Sequence, residues 1–170
     1  IDGIDKEYDW IRSNKFEDTI NTLEQWSKKV RVDIAINVFV SFHNFFSLNK
    51  IVDYFKDKSY VNNINFTNAA ISPIKFSLES IPRELILNNL KKYIDEWSLI
   101  NDDHVKKKGF PLVDFSTLDN YYKTKKDTVT EHDIEKTIME FKHIENMNKF
   151  RGFNLLDHCK GLKDLHGQIL

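Results

Sequence analysis

The chain has 170 residues, 41% hydrophobic and 30% charged, with a formal net charge of −1. That is long enough for one packed domain, and the balance argues against disorder throughout and against binding to nucleic acid or a membrane by bulk charge. One cysteine, Cys159, excludes an internal disulfide and any cysteine-rich metal site made by this chain alone, and fits a reducing, cytoplasmic setting; no apolar run approaches the ~20 residues of a membrane span.

Ile1-Asp2-Gly3 reads as the last turn out of a buried strand, so the chain is expected to begin inside a fold. Phe16, Ile20, Leu23 and Val30 then recur at helical spacing, with Ser13 or Asn14 available as a cap. Residues 31–40 alternate with period two. Val32, Ile34, Ile36, Val38 and Val40 form one face, and Asp33, Ala35, Asn37 and Phe39 the other. Leu48, Ile51, Val52 and Phe55 mark a second helix, and residues 61–66 another strand. Connections this short make a βαβ crossover, so the two strands should be parallel neighbours. The isolated chain should expose one edge of its sheet, where missing strands would pair, and should self-associate or aggregate.

Pro82 suits the start of a helix bearing Leu85, Ile86, Leu90, Ile94 and Trp97. Residues 101–129 lose periodicity and are expected to form a loop region with at most short helices. Thr130 should cap a long amphipathic helix with Ile134, Ile138, Phe141, Ile144 and Met147 on its stripe. Gly152 should break the chain before a short helix capped by Asn154. The expected organisation is 1–78 as consecutive β/α units, 79–100 as a helix packed on them, the 101–129 loop, and a helical extension over 130–170.

The candidate chemistry lies on the first strand. A parallel strand covered on both faces should be apolar throughout, yet its second face carries Asp33 and Asn37, and Ser41, His43 and Asn44 follow. Ligands of α/β folds gather at the carboxyl ends of strands, where Asp2, Ser41, Asn44 and 65–68 fall. Capping and strand pairing are the competing roles for each of these residues. His43 could donate a proton or be structural. His158, Cys159 and His166 match no compact metal-ligand spacing, and the lysines of 106–108 and 123–126 read as solvated loop charge.

Taken in order, Ile1-Asp2-Gly3, Ile11-Arg12, the Phe16-Glu17 helix start leading to Ile20, and the strand running into Ser41-x-x-Asn44 resemble radical S-adenosylmethionine proteins, in particular the twitch-domain-containing branch. The Asn-rich second strand, Ser72-Pro73, Ile81-Pro82 and a closing Arg151-Gly152 extend the resemblance. It implies an α/β fold, the C-terminal half of a partial (β/α)6 TIM-like barrel with a helical C-terminal extension. It also implies an enzyme that cleaves S-adenosylmethionine reductively to a radical that abstracts hydrogen from substrate. The cofactors implied are S-adenosylmethionine and a [4Fe-4S] cluster, whose Cys-x-x-x-Cys-x-x-Cys ligands are not in this chain. By the same resemblance Asp2, Asn37, Ser41 and Asn44 would contact the cofactor, and Asn65 and Asn68 the substrate. That substrate would be a peptide, sugar or small metabolite, and a reductant protein would be a partner; alone, the chain should be inactive. Two alternatives remain open: a non-catalytic α/β protein-interaction module, and another barrel enzyme such as an aldolase or hydrolase.

Overall fold

The computed structural model describes residues 1–30, 32–68, 77–128 and 132–169. Within them the order is α1 (Asp5–Arg12), α2 (Phe16–Lys29), β1 (Ile34–Val40), α3 (Leu48–Phe55), β2 (Val61–Asn68), α4 (Arg83–Lys108), β3 (Val113–Asp114), α5 (Ser116–Asp127), α6 (Ile134–Arg151) and α7 (Lys160–Ile169). Short 3-10 turns precede α3, α4 and α7. The class is α/β, mostly helical, around one small sheet.

The sheet runs β1-β2-β3, all parallel, with Asn37 opposite Asn65 and Asn65 opposite Asp114. The expected βαβ crossover is therefore present. Period two decides its faces: Ile36, Val38 and Val40 are buried, while Ala35, Asn37 and Phe39 are exposed. Consecutive parallel strands joined through α3 and α4 bring helices to the apolar face, as right-handed crossovers require. All four predicted residues of α3 (Leu48, Ile51, Val52 and Phe55) are buried there.

α4 is anchored by an aromatic stack. Trp97 lies parallel to Phe66 with ring centroids 4.4 Å apart, and Tyr93 continues the stack at 5.2 Å. Each such pair contributes about 0.5–1.5 kcal/mol beyond area burial. Tyr93 also donates its hydroxyl to Phe45 O at 2.9 Å, so burial of the phenol leaves no orphan donor.

Residues 101–127 are largely helical rather than the loop the sequence suggested. α4 continues without interruption to Lys108, where Gly109 ends it in the left-handed conformation (φ 85°), and α5 fills most of the remainder. These turns face water, so they show little apolar periodicity; Asp103–Lys107 and Asp119–Lys123 pairs at i,i+4 support them instead. The α2 start also differs: the Asp9 carboxylate, rather than Ser13 or Asn14, accepts the Phe16 N–H at 2.7 Å. Thr130 and Ser72-Pro73 lie outside the described residues, and α6 is capped by Asp133, whose Oδ1 accepts from the Glu135 and Lys136 amides. The α6 stripe is rotated from the predicted one. Phe141 and Ile144 are fully buried, but Ile134 is 55% exposed, and Thr137 and Glu140 take inward positions.

The carboxyl-terminal helices dock back onto α1. Trp10 Nε1 donates to Asn148 Oδ1 at 2.8 Å, and the same oxygen accepts the Leu155 amide. Arg151 donates to Ser13 Oγ just before Gly152 ends α6 at φ 73°. A second tie is buried. Glu7 Oε1 accepts from Ser47 Oγ and Lys50 Nζ, both at 2.8 Å, and Ser47 lies 3.4 Å from Cys159 Sγ. Gly161 makes this docking possible, because a Cβ there would stand 2.4 Å from Phe46 Cβ.

Candidate functional site

Two environments meet at the carboxyl end of β1. The first is a buried knot. Asn44, with no exposed surface, accepts the Ser41 amide on Oδ1 at 2.8 Å and donates Nδ2 to Asp2 O and Phe39 O, both at 2.9 Å. Ser41 Oγ adds a longer bond to the same Oδ1. Asp2 is 4% exposed, accepts the Phe39 amide at 2.8 Å and pairs with Arg12. Ile1 N donates to Asn37 O at 2.7 Å. The opening residues thus lie along β1 as a parallel neighbour would, with the Asp2 carboxylate standing in for one carbonyl of the ladder.

These contacts answer the expectation of an unpaired edge. The odd residues of β1 from Asn37 onward point their backbone groups away from β2, and Ile1, Asp2 and Asn44 occupy them. At the opposite edge Asn101 does the same for β3, donating Nδ2 to Val113 O and accepting the Val113 amide, both at 2.8 Å. A carboxamide carries one donor side and one acceptor side, so it substitutes for a peptide of the next strand. At Asn37, Phe39 and Val113 the outer backbone groups bond within the chain, which removes the template for edge-to-edge pairing at these positions.

The second environment is the open face of the sheet. Asn37, Asn65 and Asp114 stand in register across the three strands, flanked by Phe39 and Thr67. Asn65 Nδ2 donates to Asn37 Oδ1 at 2.9 Å, which leaves Asn37 Nδ2 and Asn65 Oδ1 with no bond among the described residues. Phe39 is 42% exposed beside them. Carboxamides, a carboxylate and an aromatic edge on a rigid strand platform can hydrogen-bond and stack against a polar ligand.

No protein-family model, curated protein or solved structure matches the chain.

The six residues singled out from the sequence therefore divide. Asp2, Ser41 and Asn44 form the knot, and their inward polar atoms bond within the chain. Asn37 and Asn65 lie together on the open face. Asn68 ends β2 opposite Val40, and its side chain lies outside the described residues. Asp114 completes the open-face row and was missed. The only signal for it was the short Leu112-Val113 pair before a polar residue, too brief to read as a strand. Asn101 was also missed, because its partner lies 12 residues away across a turn.

His43 sits behind the rim, 3% exposed, its ring 5.2 Å from Trp10 and 6.0 Å from His143. Burial first, and then the neighbouring His143, push its pKa down to about 3. The imidazole is neutral at physiological pH, so it is not a source of an acidic proton there. Cys159 is fully buried, and burial together with Glu7 pushes its thiol pKa up. A protonated, inaccessible thiol is neither a nucleophile nor a metal ligand. Among the described residues, no group of three or more His, Cys, Asp or Glu side chains is placed to hold a metal ion, and no helix is long and apolar enough to cross a membrane.

Proposed function

We propose that this chain supplies the later β/α units of a radical S-adenosylmethionine enzyme, its open sheet face lining the interior of a partial barrel and its substrate a peptide, sugar or small metabolite. The observation that carries the reading is the one-sided sheet. Three parallel strands in consecutive order, with helices on the apolar face and a row of Asn37, Asn65 and Asp114 on the other, is what a barrel wall requires. Ile1 and Asp2 beside β1 are in the place of a preceding strand end, and Asn101 pairs the Val113 groups of the far edge, as the last strand of an open barrel needs.

The chain's residues fit one of the two cofactors and not the other. Asn37 Nδ2 and Asn65 Oδ1 offer a donor and an acceptor to the polar groups of S-adenosylmethionine, which when bound supplies the hydrogen-abstracting chemistry of that family. The Asn44 knot fixes the carboxyl end of β1, the strand that carries Asn37. The [4Fe-4S] cluster finds no ligands here, since Cys159 is buried and bonded to Ser47. In this reading the cluster ligands, and the contact with a reductant protein, come from outside this chain.

The test is anaerobic purification of the product of the complete reading frame that contains this chain, with iron and sulfide counted. About four irons per chain, with 5′-deoxyadenosine released on adding reductant and S-adenosylmethionine, is the expected result. Asn37→Ala with Asn65→Ala should weaken S-adenosylmethionine binding while leaving the unfolding midpoint unchanged. Absence of iron and of 5′-deoxyadenosine overturns the proposal.

A further inference from the structure

A cavity of about 240 Å3 lies away from the open sheet face, where the carboxyl end of α5 meets the amino ends of α4 and α6. Ile81 and Ile86 contribute its apolar wall, and the remainder is charged or polar: Arg83, Lys125, Lys136 and His132, with Glu79 and Asp133 as the acids. Among the described residues, three permanent cations thus face two carboxylates.

Arg83 and Lys125 are held in place by bonds within the chain, whereas Lys136 is half-exposed. Arg83 Nε donates to Lys125 O and Thr128 O, both at 3.0 Å, and Nη2 donates to Lys126 O at 2.8 Å. Its guanidinium closes the last turn of α5, where carbonyls lack helical partners. Arg83 Nη1 has no bond among the described residues, so a fork of donors is left for another acceptor. Lys125 is 19% exposed along its side chain, its ammonium 5.6 Å from the Tyr121 ring centre and 2.9 Å from Glu79 Oε1. Lys136 reaches Asp133 only at 3.7 Å. His132 bonds Thr137 Oγ1 at 2.9 Å, and burial lowers its pKa, so it adds no fixed charge.

The two acids differ. Asp133 is built into the start of α6 by its bonds to the Glu135 and Lys136 amides. Glu79 lies on a short 3-10 turn, its side chain 54% exposed, and among the described residues its carboxylate bonds to Lys125 alone. Lys125 and then Lys136 hold that carboxyl below its ordinary range.

We propose that this cavity binds a small oxyanion, the phosphate or carboxylate group of a metabolite, and that Glu79 takes the place of that anion in the free protein. Arg83 Nη1, Lys125 and Lys136 are the donors, and release of Glu79 from Lys125 exposes the full cationic set. The recognition chemistry is that of charge-assisted hydrogen bonds in a partly enclosed site.

The proposal predicts opposite effects for two substitutions on the same wall. The intact chain is titrated with inorganic phosphate and, separately, with acetate at constant ionic strength, and amide resonances are followed by two-dimensional NMR. Saturable shifts should be confined to residues around 79–86, 121–126 and 132–137. Glu79→Gln should tighten binding about tenfold by removing the internal competitor, and Lys136→Ala should weaken it about tenfold. Phosphate alone saturating identifies a phosphate site; acetate alone identifies a carboxylate site. If neither anion saturates in the parent or in Glu79→Gln, or if both substitutions move affinity in the same direction, the proposal is overturned.

Discussion

Asn44 offers the sharpest test of how the carboxyl end of β1 is held. Asn44→Ala removes the partner of the Ser41 amide and of the Asp2 and Phe39 carbonyls in a site with no exposed side-chain surface. A buried group left unsatisfied costs about 1–3 kcal/mol. Taking the low end for each of the three groups, because carbonyls retain a second lone pair, gives a loss of about 3 kcal/mol. Total stability for a domain is about 5–15 kcal/mol, and at this length each kcal/mol moves the midpoint by about 2–4 °C. The expected fall in Tm is therefore about 6–12 °C. Urea unfolding followed by the fluorescence of buried Trp10 and Trp97 measures the free-energy loss, and a thermal scan the fall in Tm. Asn44→Asp is the discriminating companion: it keeps the shape but sets a carboxylate oxygen against two carbonyls, and should destabilise at least as much. Asn37→Ala, the same residue type on the exposed face, should stay within about 0.5 kcal/mol of the parent. An Asn44→Ala variant within about 1 kcal/mol of the parent, or an Asn44→Asp variant equal to it, would refute the reasoning.

Three further outcomes follow from the packing. Gly161→Ala should cost about 1–3 kcal/mol by forcing α7 away from Phe46, and Phe46→Gly in the same chain, which removes the opposing Cβ, should leave little further cost from Gly161→Ala; chemical denaturation of the single and double variants decides. His43 has a folded pKa near 3, below the unfolded value of about 6.5, so the unfolded state binds the extra proton between those values. Stability should accordingly fall as pH drops from about 6.5, by up to about 1.4 kcal/mol per unit from this residue, and His43→Gln should flatten the profile; an unchanged slope contradicts the assignment. Cys159 should resist a thiol reagent in the native chain and react fully once unfolded, whereas stoichiometric labelling of native protein within minutes would place it at the surface.

How much of this was legible in the sequence depends on how far each cause reaches along the chain. Period two gave the two faces of β1, and helical spacing gave α3 residue for residue, because both patterns answer to a local geometry that repeats within a few positions. Pro82 stands immediately before α4, as its fixed φ predicts. The same logic failed over 101–127, where exposed helix is supported by charge pairs and carries little apolar rhythm.

The candidate site shows the division most clearly. The sequence marked Asn37 and Asn44 alike, as carboxamides at or near the end of one strand, and composition determined that both must find hydrogen-bond partners. Only the tertiary structure decided that Asn44 turns inward to bind Asp2, 42 residues away, while Asn37 turns outward to meet Asn65, 28 residues away. Alternation says which side of a strand a residue takes but not what lies against that side, since the occupants arrive from distant segments. That is why the polar face of the sheet could be read from sequence, whereas its openness, the pairing of Phe39 and Val113 edge groups by Asn44 and Asn101, and the cationic cavity around Glu79 needed the folded chain.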